Sequence, residues 1–334
     1  MPIVYANGER EDYSPPRLRE RRDKHCRLVE YEGKERYGVD RILVSGVSGP
    51  IGMALVPSLA SGGAQIVRLV RAAAKNAEQI SWNPLVAVSA ADVSGFDAVI
   101  HLAGESVVGR WTEAKKKAIR DSRLLGTRNL ATSLAQAKDR PRLFVCASAV
   151  GFYGNRGDEL LTEDSAGGSG FAAELGREWE AASRVAAEAG IRTVNLRIGL
   201  VLSPEGGALE KMLIPFKLGL GGRLGPGTQW WSWIHVDDIV GAIHHIMHNE
   251  SLSGPVNVVA PSPVRNEEFT RVLASVLGRP ALFPVPAFAA RLAFGEMAQE
   301  LMLSSQRVVP ARLEASGYSF RFRELRAALE DLVG

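Results

Sequence analysis

Three glycines in the pattern Gly46-x-x-Gly49-x-x-Gly52 stand between the β-rich run Arg41-Ile-Leu-Val-Ser45 and an amphipathic stretch that begins near Ile51. A chain that leaves a strand and enters a helix this abruptly needs a distinct property at each glycine. Gly46 supplies the tight turn, Gly49 lets a pyrophosphate approach the backbone, and Gly52 lets the helix pack closely on a sheet. The N–H groups at that helix start, reinforced by the macrodipole, then face phosphates. A plain strand-to-helix turn also favours glycine. Position decides, because the loop closes the first strand of a βαβ unit and the next strand ends in Val70-Arg71 at an offset of roughly 20 residues. The expected dinucleotide contacts are therefore Gly46, Ser48, Gly49, Pro50, Ile51, Gly52, Val70 and Arg71.

The residue at the end of that second strand selects the cofactor. An acid there holds the ribose 2′-OH of NAD, whereas an arginine suits the additional phosphate of NADP. Arg71 has Arg68 and Lys75 as neighbours, and no Asp or Glu follows until Glu78. NADP(H) is the expected cofactor, with a merely solvated loop charge as the alternative for Arg71.

From Arg41 onward, short β-rich runs alternate with amphipathic stretches, the signature of βαβ units. Strands are expected at Arg41 to Ser45, Gln65 to Val70, Ala98 to Leu102, Leu143 to Ser148 and Thr193 to Ile198. Helices are expected near Ile51 to Ser61, Trp111 to Lys138 and Phe171 to Ala189. Right-handed crossovers make this an α/β, Rossmann-type doubly wound parallel sheet with a small C-terminal substrate lobe. Residues 1–40, dense in charge and carrying Pro15-Pro16, read as a flexible arm or linker in which Cys26 to Tyr37 adds at most a strand. Residues 41–280 form the dinucleotide-binding domain and 281–334 the lobe. Helical periodicity runs through Ala287 to Leu303 and Glu324 to Leu332, and the glycines at 206–207, 221–222 and 225–227 read as an arch or lid.

Composition narrows the partners. With 40 basic and 37 acidic side chains the formal charge is only +3, too balanced for the field of a dedicated nucleic-acid binder. Cys26 and Cys146 stand alone, which suggests neither a disulfide framework nor a metal site and fits a reducing cytoplasm. No apolar run approaches the roughly 20 residues of a membrane span. The expected partner is a small-molecule substrate, with no nucleic acid and no membrane; a protein partner or a homodimer stays open.

Several motifs together carry a family resemblance: the glycine loop, His101-Leu-Ala-Gly-Glu105, Arg110-Trp111, Ile119-Arg-Asp-Ser-Arg-Leu-Leu-Gly-Thr127, Ser148-Ala-Val-Gly-Phe-Tyr-Gly154, Leu196-Arg-Ile-Gly-Leu-Val201 and Trp231-Ser-Trp-Ile-His-Val-Asp-Asp238. From about Arg41 to Leu332 the chain resembles the extended, atypical branch of the short-chain dehydrogenase/reductases, and within it the SulA-like nucleotide-sugar epimerase proteins. Its end, with Ala315-Ser-Gly-Tyr318, resembles the uncharacterised domain that closes that group. The resemblance implies that Leu102, Ala103 and Gly104 pass against the cofactor ribose and that Val201 lines the nicotinamide side. Arg123 falls where the wider family carries Asn; it would reach a phosphate or a substrate anion, or else pair on the helix surface.

One departure limits the chemistry. Family reductases and epimerases use Ser with Tyr-x-x-x-Lys on the following helix, where Lys lowers the Tyr pKa and the phenol exchanges a proton with substrate. Ser148 is in place, but Phe171-Ala-Ala-Glu-Leu-Gly-Arg-Glu-Trp-Glu180 holds neither Tyr nor Lys. Substitutes are Tyr153, whose Tyr-Gly context is structural in the wider family, and Glu105, a base if burial raises its pKa and otherwise a cap. His235 reads as a structural histidine. Trp230, Trp231 and Trp233 read as a stacking wall or as core. The expectation is an NADP(H)-dependent epimerase or oxidoreductase acting on a small molecule, or an NADP-binding sensor that engages a protein without turnover.

Overall fold

The computed structural model describes residues 41–334 throughout and, ahead of them, only backbone strands at Ile3–Val4, Arg10–Glu11, Leu18–Asp23 and Cys26–Tyr31. The last two pair antiparallel. The expected arm over residues 1–40 otherwise lies outside the described residues.

Seven parallel strands form the central sheet: β1 (Arg41–Ser45), β2 (Gln65–Val70), β3 (Gln79–Ser81), β4 (Ala98–His101), β5 (Leu143–Ala149), β6 (Arg192–Ile198) and β7 (Gly254–Val258). Their spatial order is β7-β6-β5-β4-β1-β2-β3. Strand order therefore reverses between β1 and β4, and that switch point opens a crevice at the strands' C-terminal ends, where open α/β sheets bind ligands. The helices of eight residues or more among the described residues are α1 (Pro50–Ser61), α2 (Glu113–Gln136), α3 (Phe171–Glu188), α4 (Gly207–Lys217), α5 (Val236–His248), α6 (Asn266–Val276), α7 (Ala287–Phe294) and α8 (Leu325–Val333).

Alternation along β1 builds two cores. Ile42 and Val44 point to the face covered by α1 and α5, among Leu55, Leu59, Ile243 and Ile246. Leu43 points to the other, among Leu130 and Leu134 of α2 and Trp179 of α3. Strands buried on both faces read as continuous apolar runs, which is why five of them were visible in the sequence. The other two are edge strands. β3 has three residues, and β7 contains Pro255, which only an edge strand tolerates well. Helices α4, α5 and α6 are likewise additions to the sequence reading.

The C-terminal segment shares its cores with the residues before it. Leu313 and Phe320 join the α1/α5 face, while Phe322, Leu325 and Leu329 pack around Trp233 and Phe269. The helix expected over Ala287 to Leu303 stops at Phe294, because Gly295 turns the chain with φ +62°.

Candidate functional site: a cleft above the glycine loop

Each glycine of the loop meets a different constraint. Gly46 has φ +73°, and a Cβ there would lie 2.5 Å from the carbonyl carbon of Leu102. A Cβ on Gly52 would lie 2.4 Å from the Gly46 carbonyl oxygen, so the first turn of α1 needs hydrogen at that position. At Gly49 a Cβ would make only an ordinary contact, 3.5 Å from the Gly46 carbonyl oxygen. Gly49 caps α1 without any side-chain hydrogen bond, and Pro50, lacking an N–H, holds the first position. The turn therefore offers the amides near Ile51 and Gly52 to an anion. Ser48 is exposed beside it. Gly206 and Gly207, with φ +87° and +81°, bring the start of α4 against Pro50: Cβ atoms on them would lie 3.8 and 3.7 Å from that ring. The first of the expected glycine arches thus packs beside Pro50 of the loop.

Beside the loop, β2 ends in half-buried Val70 and exposed Arg71. Arg71 makes no side-chain hydrogen bond or ion pair among the described residues. Leu102 and Ala103 continue from β4 across the crevice, and Gly104 lies so close to Arg123 that a Cβ would come within 3.2 Å of its Cζ. Arg123 donates through Nη1 to the carbonyls of Glu105 and Ile119, at 2.9 and 3.2 Å, and lies over the Trp179 ring at 4.9 Å. Burial lowers its pKa to about 10. It pairs with carbonyls rather than with an acid on the helix surface.

Glu105 departs from the expectation of a burial-raised carboxyl. Lys115 Nζ donates to it at 2.6 Å, and this hydrogen bond outweighs burial to lower its pKa, with Arg71 and Arg123 adding to the effect. Nor does it cap the next helix: Thr112 does, accepting from the Lys115 amide at 3.2 Å.

Deeper in the crevice, the sheet register aligns Ser148 of β5, Arg197 of β6 and Asn257 of β7 in one row. Ser148 Oγ donates to Glu180 Oε1 at 2.9 Å. Arg197 Nη1 donates to the Tyr153 hydroxyl at 2.9 Å, and that hydroxyl donates to Asn257 Oδ1 at 2.7 Å. Tyr153 is fully enclosed and burial raises its pKa, so its phenol belongs to this network and not to an accessible surface. Glu163 completes it by accepting from the main-chain N–H of Asn257 at 3.0 Å.

Sequence reading identified Ser148 and Tyr153 but missed Glu180, Lys115 and Asn257. The available signal was Arg197 itself: an arginine in the middle of an apolar strand requires a buried carboxylate partner. His235 is buried. Its Nδ1 accepts from the Asp237 amide at 3.0 Å as the cap of α5, and its ring stacks on Phe322. Trp231 and Trp233 are core, while Trp230 is half-buried with Nε1 on Asp158 at 2.7 Å. Val201 is half-buried and packs towards the α1/α5 core.

Comparison with known proteins matches residues 42–260 to the NAD dependent epimerase/dehydratase family and residues 285–332 to a domain of unknown function, DUF1731. The chain belongs to the epimerase family. Among its relatives, the epimerase family protein Mb2239 of Mycobacterium bovis is 40% identical over 290 residues, covering 86% of this chain and 96% of that one. Human epimerase family protein SDR39U1 is 37% identical over 297 residues, covering 88% and 99%. The crystal structure of human SDR39U1 isoform 2 with NADPH superposes with TM-score 0.81 at 36% identity, over 87% of this chain and 98% of that one. A nucleoside-diphosphate sugar epimerase from Corynebacterium glutamicum gives TM-score 0.75 at 36% identity, over 89% and 59%.

Proposed function

We propose that this epimerase-family protein binds NADP(H) along the C-terminal ends of β1, β2 and β4 and acts on a small molecule in the crevice beyond. One observation carries the reading: an α1 start with no side-chain cap at Gly49, where a Cβ would meet nothing closer than 3.5 Å, together with an arginine with no partner among the described residues at the end of β2. Gly46, Ser48, Gly49, Pro50, Ile51 and Gly52 would hold the pyrophosphate, Val70 and Arg71 the adenosine 2′-phosphate end, and Leu102, Ala103 and Gly104 the ribose. The NADPH in the human relative's structure supports this choice. A bound nicotinamide supplies hydride chemistry.

The chain's own residues limit what accompanies it. Ser148 gives its proton to Glu180, so its oxygen is left to accept; it orients a substrate hydroxyl or amide rather than protonating an alkoxide. Glu105, held ionised by Lys115, is a weak base but a strong hydrogen-bond acceptor. Val201 and Arg123 border the remaining space, with Arg123 favouring an anionic group. The test is single-turnover oxidation of bound NADPH against a panel of carbonyl compounds. Cofactor consumption by wild type that slows in Ser148→Ala supports an enzyme.

A second reading is favoured by two observations: α3 offers no Tyr or Lys, and the Tyr153 phenol is locked in the buried network. On that reading the protein senses NADP(H) and engages a partner without turnover. Tight NADPH binding with no consumption of cofactor across the whole panel would select it.

A further inference from the structure

The four most exposed large apolar side chains among the described residues are Leu218, Leu282, Phe288 and Leu292, at 70, 76, 71 and 74%. They belong to the end of α4, to the connection 280–286 that the chain after α4 touches, and to α7, into which that connection runs. A Cβ on Gly219 would lie 3.6 Å from Pro280, and Gly222 runs against the Phe283 carbonyl. Leu224 bridges Val285. Phe288 and Leu292, four apart, share one face of α7. Soluble surfaces carry single exposed apolar residues everywhere, but a concentration of the largest ones on adjoining segments marks a contact site.

Leu282 also lines a cavity of about 540 Å³, together with Pro284, Arg223, Arg271, Arg279 and Glu267. Arg271 and Arg279 have no side-chain hydrogen bond or ion pair among the described residues. Arg223 spends one N–H on the Pro226 carbonyl, at 3.0 Å. Three guanidiniums thus face a single carboxylate, and the rim of the apolar ridge is positive. A second copy docked by a two-fold axis would bring this rim towards itself, cation against cation. The charge complements an anionic surface, and protruding Leu and Phe beside unneutralised Arg match the headgroup and acyl boundary of a lipid layer.

We propose that this face docks on anionic phospholipid, with Arg271 and Arg279 engaging headgroup phosphate and Leu282, Phe288 and Leu292 entering the interface. Attachment is at the surface, since no helix among the described residues is long and apolar enough to cross a membrane. The sequence-based expectation of no membrane partner rested on that lack of a span, which does not address a docked face. None of the lining residues belongs to the glycine loop or to the ends of β1, β2 and β4, so cofactor binding and docking are separable.

Sedimentation of the full chain, saturated with NADPH, with vesicles tests the proposal. Wild type is expected to sediment with mixed phosphatidylglycerol–phosphatidylcholine vesicles and to stay in solution with phosphatidylcholine alone. The pairs Arg271→Gln/Arg279→Gln and Leu282→Ser/Phe288→Ser are each expected to weaken vesicle binding roughly tenfold or more, with NADPH affinity unchanged as the control for folding. A calorimetric response to inorganic phosphate without sedimentation would mean a free-anion pocket and overturn the proposal. Equal sedimentation of the variants and wild type would overturn it too, as would self-association that the Leu282→Ser/Phe288→Ser pair abolishes.

Discussion

Arg197 holds Glu180 through two parallel hydrogen bonds, Nε to Oε1 at 2.8 Å and Nη2 to Oε2 at 3.0 Å, with the arginine 4% and the carboxylate 13% exposed. The fork geometry matches a carboxylate on both oxygens, and Ser148 and Tyr153 use what remains of the pair. Burial works against the arginine's charge, yet the Glu180 hydrogen bonds raise its pKa. Removing one partner strands the other. Arg197→Met is therefore expected to cost about 3–5 kcal/mol, whereas Glu180→Leu combined with Arg197→Met should recover most of that loss. Urea midpoints of the two variants decide it: a double variant no more stable than the single one would show that the network does more than neutralise a buried charge.

Two buried histidines predict the acid limb of stability. His101 bonds Ser45 Oγ through Nδ1 at 2.7 Å, His244 bonds Ser58 Oγ through Nε2 at 2.9 Å, and burial lowers both pKa values from 6.5 to about 4. Between those values the unfolded chain binds protons that the native one refuses. Their contribution is complete above the unfolded pKa and is lost as pH falls towards the folded one, by roughly 3 kcal/mol for each histidine. His244→Gln can keep the bond to Ser58 without titrating, so its stability should fall less steeply than wild type between neutrality and the folded pKa. Parallel curves from urea denaturation over that range would refute the assignment for His244.

The central strands and the glycine loop were legible because a parallel sheet writes itself as unbroken apolar runs, and Gly46 and Gly52 each answer a local steric demand. The edges were not. β7 reads Gly-Pro-Val-Asn-Val, whose first two residues signal a turn, and only its pairing with β6 makes it a strand. The polar network was half legible. Ser148 stood out from its motif, but Glu180, Arg197 and Asn257 converge from separate elements, and no spacing along the chain encodes that meeting. Lys115 escaped for the same reason: it lies one element away from Glu105, and without it the sign of the Glu105 shift is read wrongly.

The glycine loop separates folding from binding by position. At Gly52 a methyl collides with the Gly46 carbonyl and the backbone must shift, so Gly52→Ala should lower stability by about 1–3 kcal/mol. Gly49→Ala meets nothing closer than 3.5 Å, and its φ of −84° suits any residue. Its stability should stay within about 0.5 kcal/mol of wild type. On the proposed reading the same methyl would occupy the space a pyrophosphate needs, and NADPH affinity should drop roughly tenfold or more, about 1.4 kcal/mol per decade. Thermal unfolding of the apo variants and fluorescence titration with NADPH read the two effects apart. Unaltered affinity in Gly49→Ala would move the phosphate away from this loop.

On the proposed reading, Arg71 carries the choice between the two pyridine nucleotides. It extends from the end of β2 with no partner among the described residues, close enough to Glu105 to help lower that residue's pKa. A guanidinium in this position gains a charge-assisted hydrogen bond only when the ligand brings a 2′-phosphate, worth about 1.5–3 kcal/mol. Arg71→Ala should therefore weaken NADPH binding by roughly 10- to 100-fold and leave NADH nearly unchanged. The difference should shrink as salt is raised, since the contact is partly exposed. Arg71→Glu goes further, because a carboxylate repels the phosphate and accepts from a ribose 2′-OH, so its preference should turn towards NADH. Calorimetric titration of the three proteins with both nucleotides gives the answer. If the ratio of the two affinities is the same in all three, the 2′-phosphate is read by another group, and Arg68 or Lys75 becomes the residue to change.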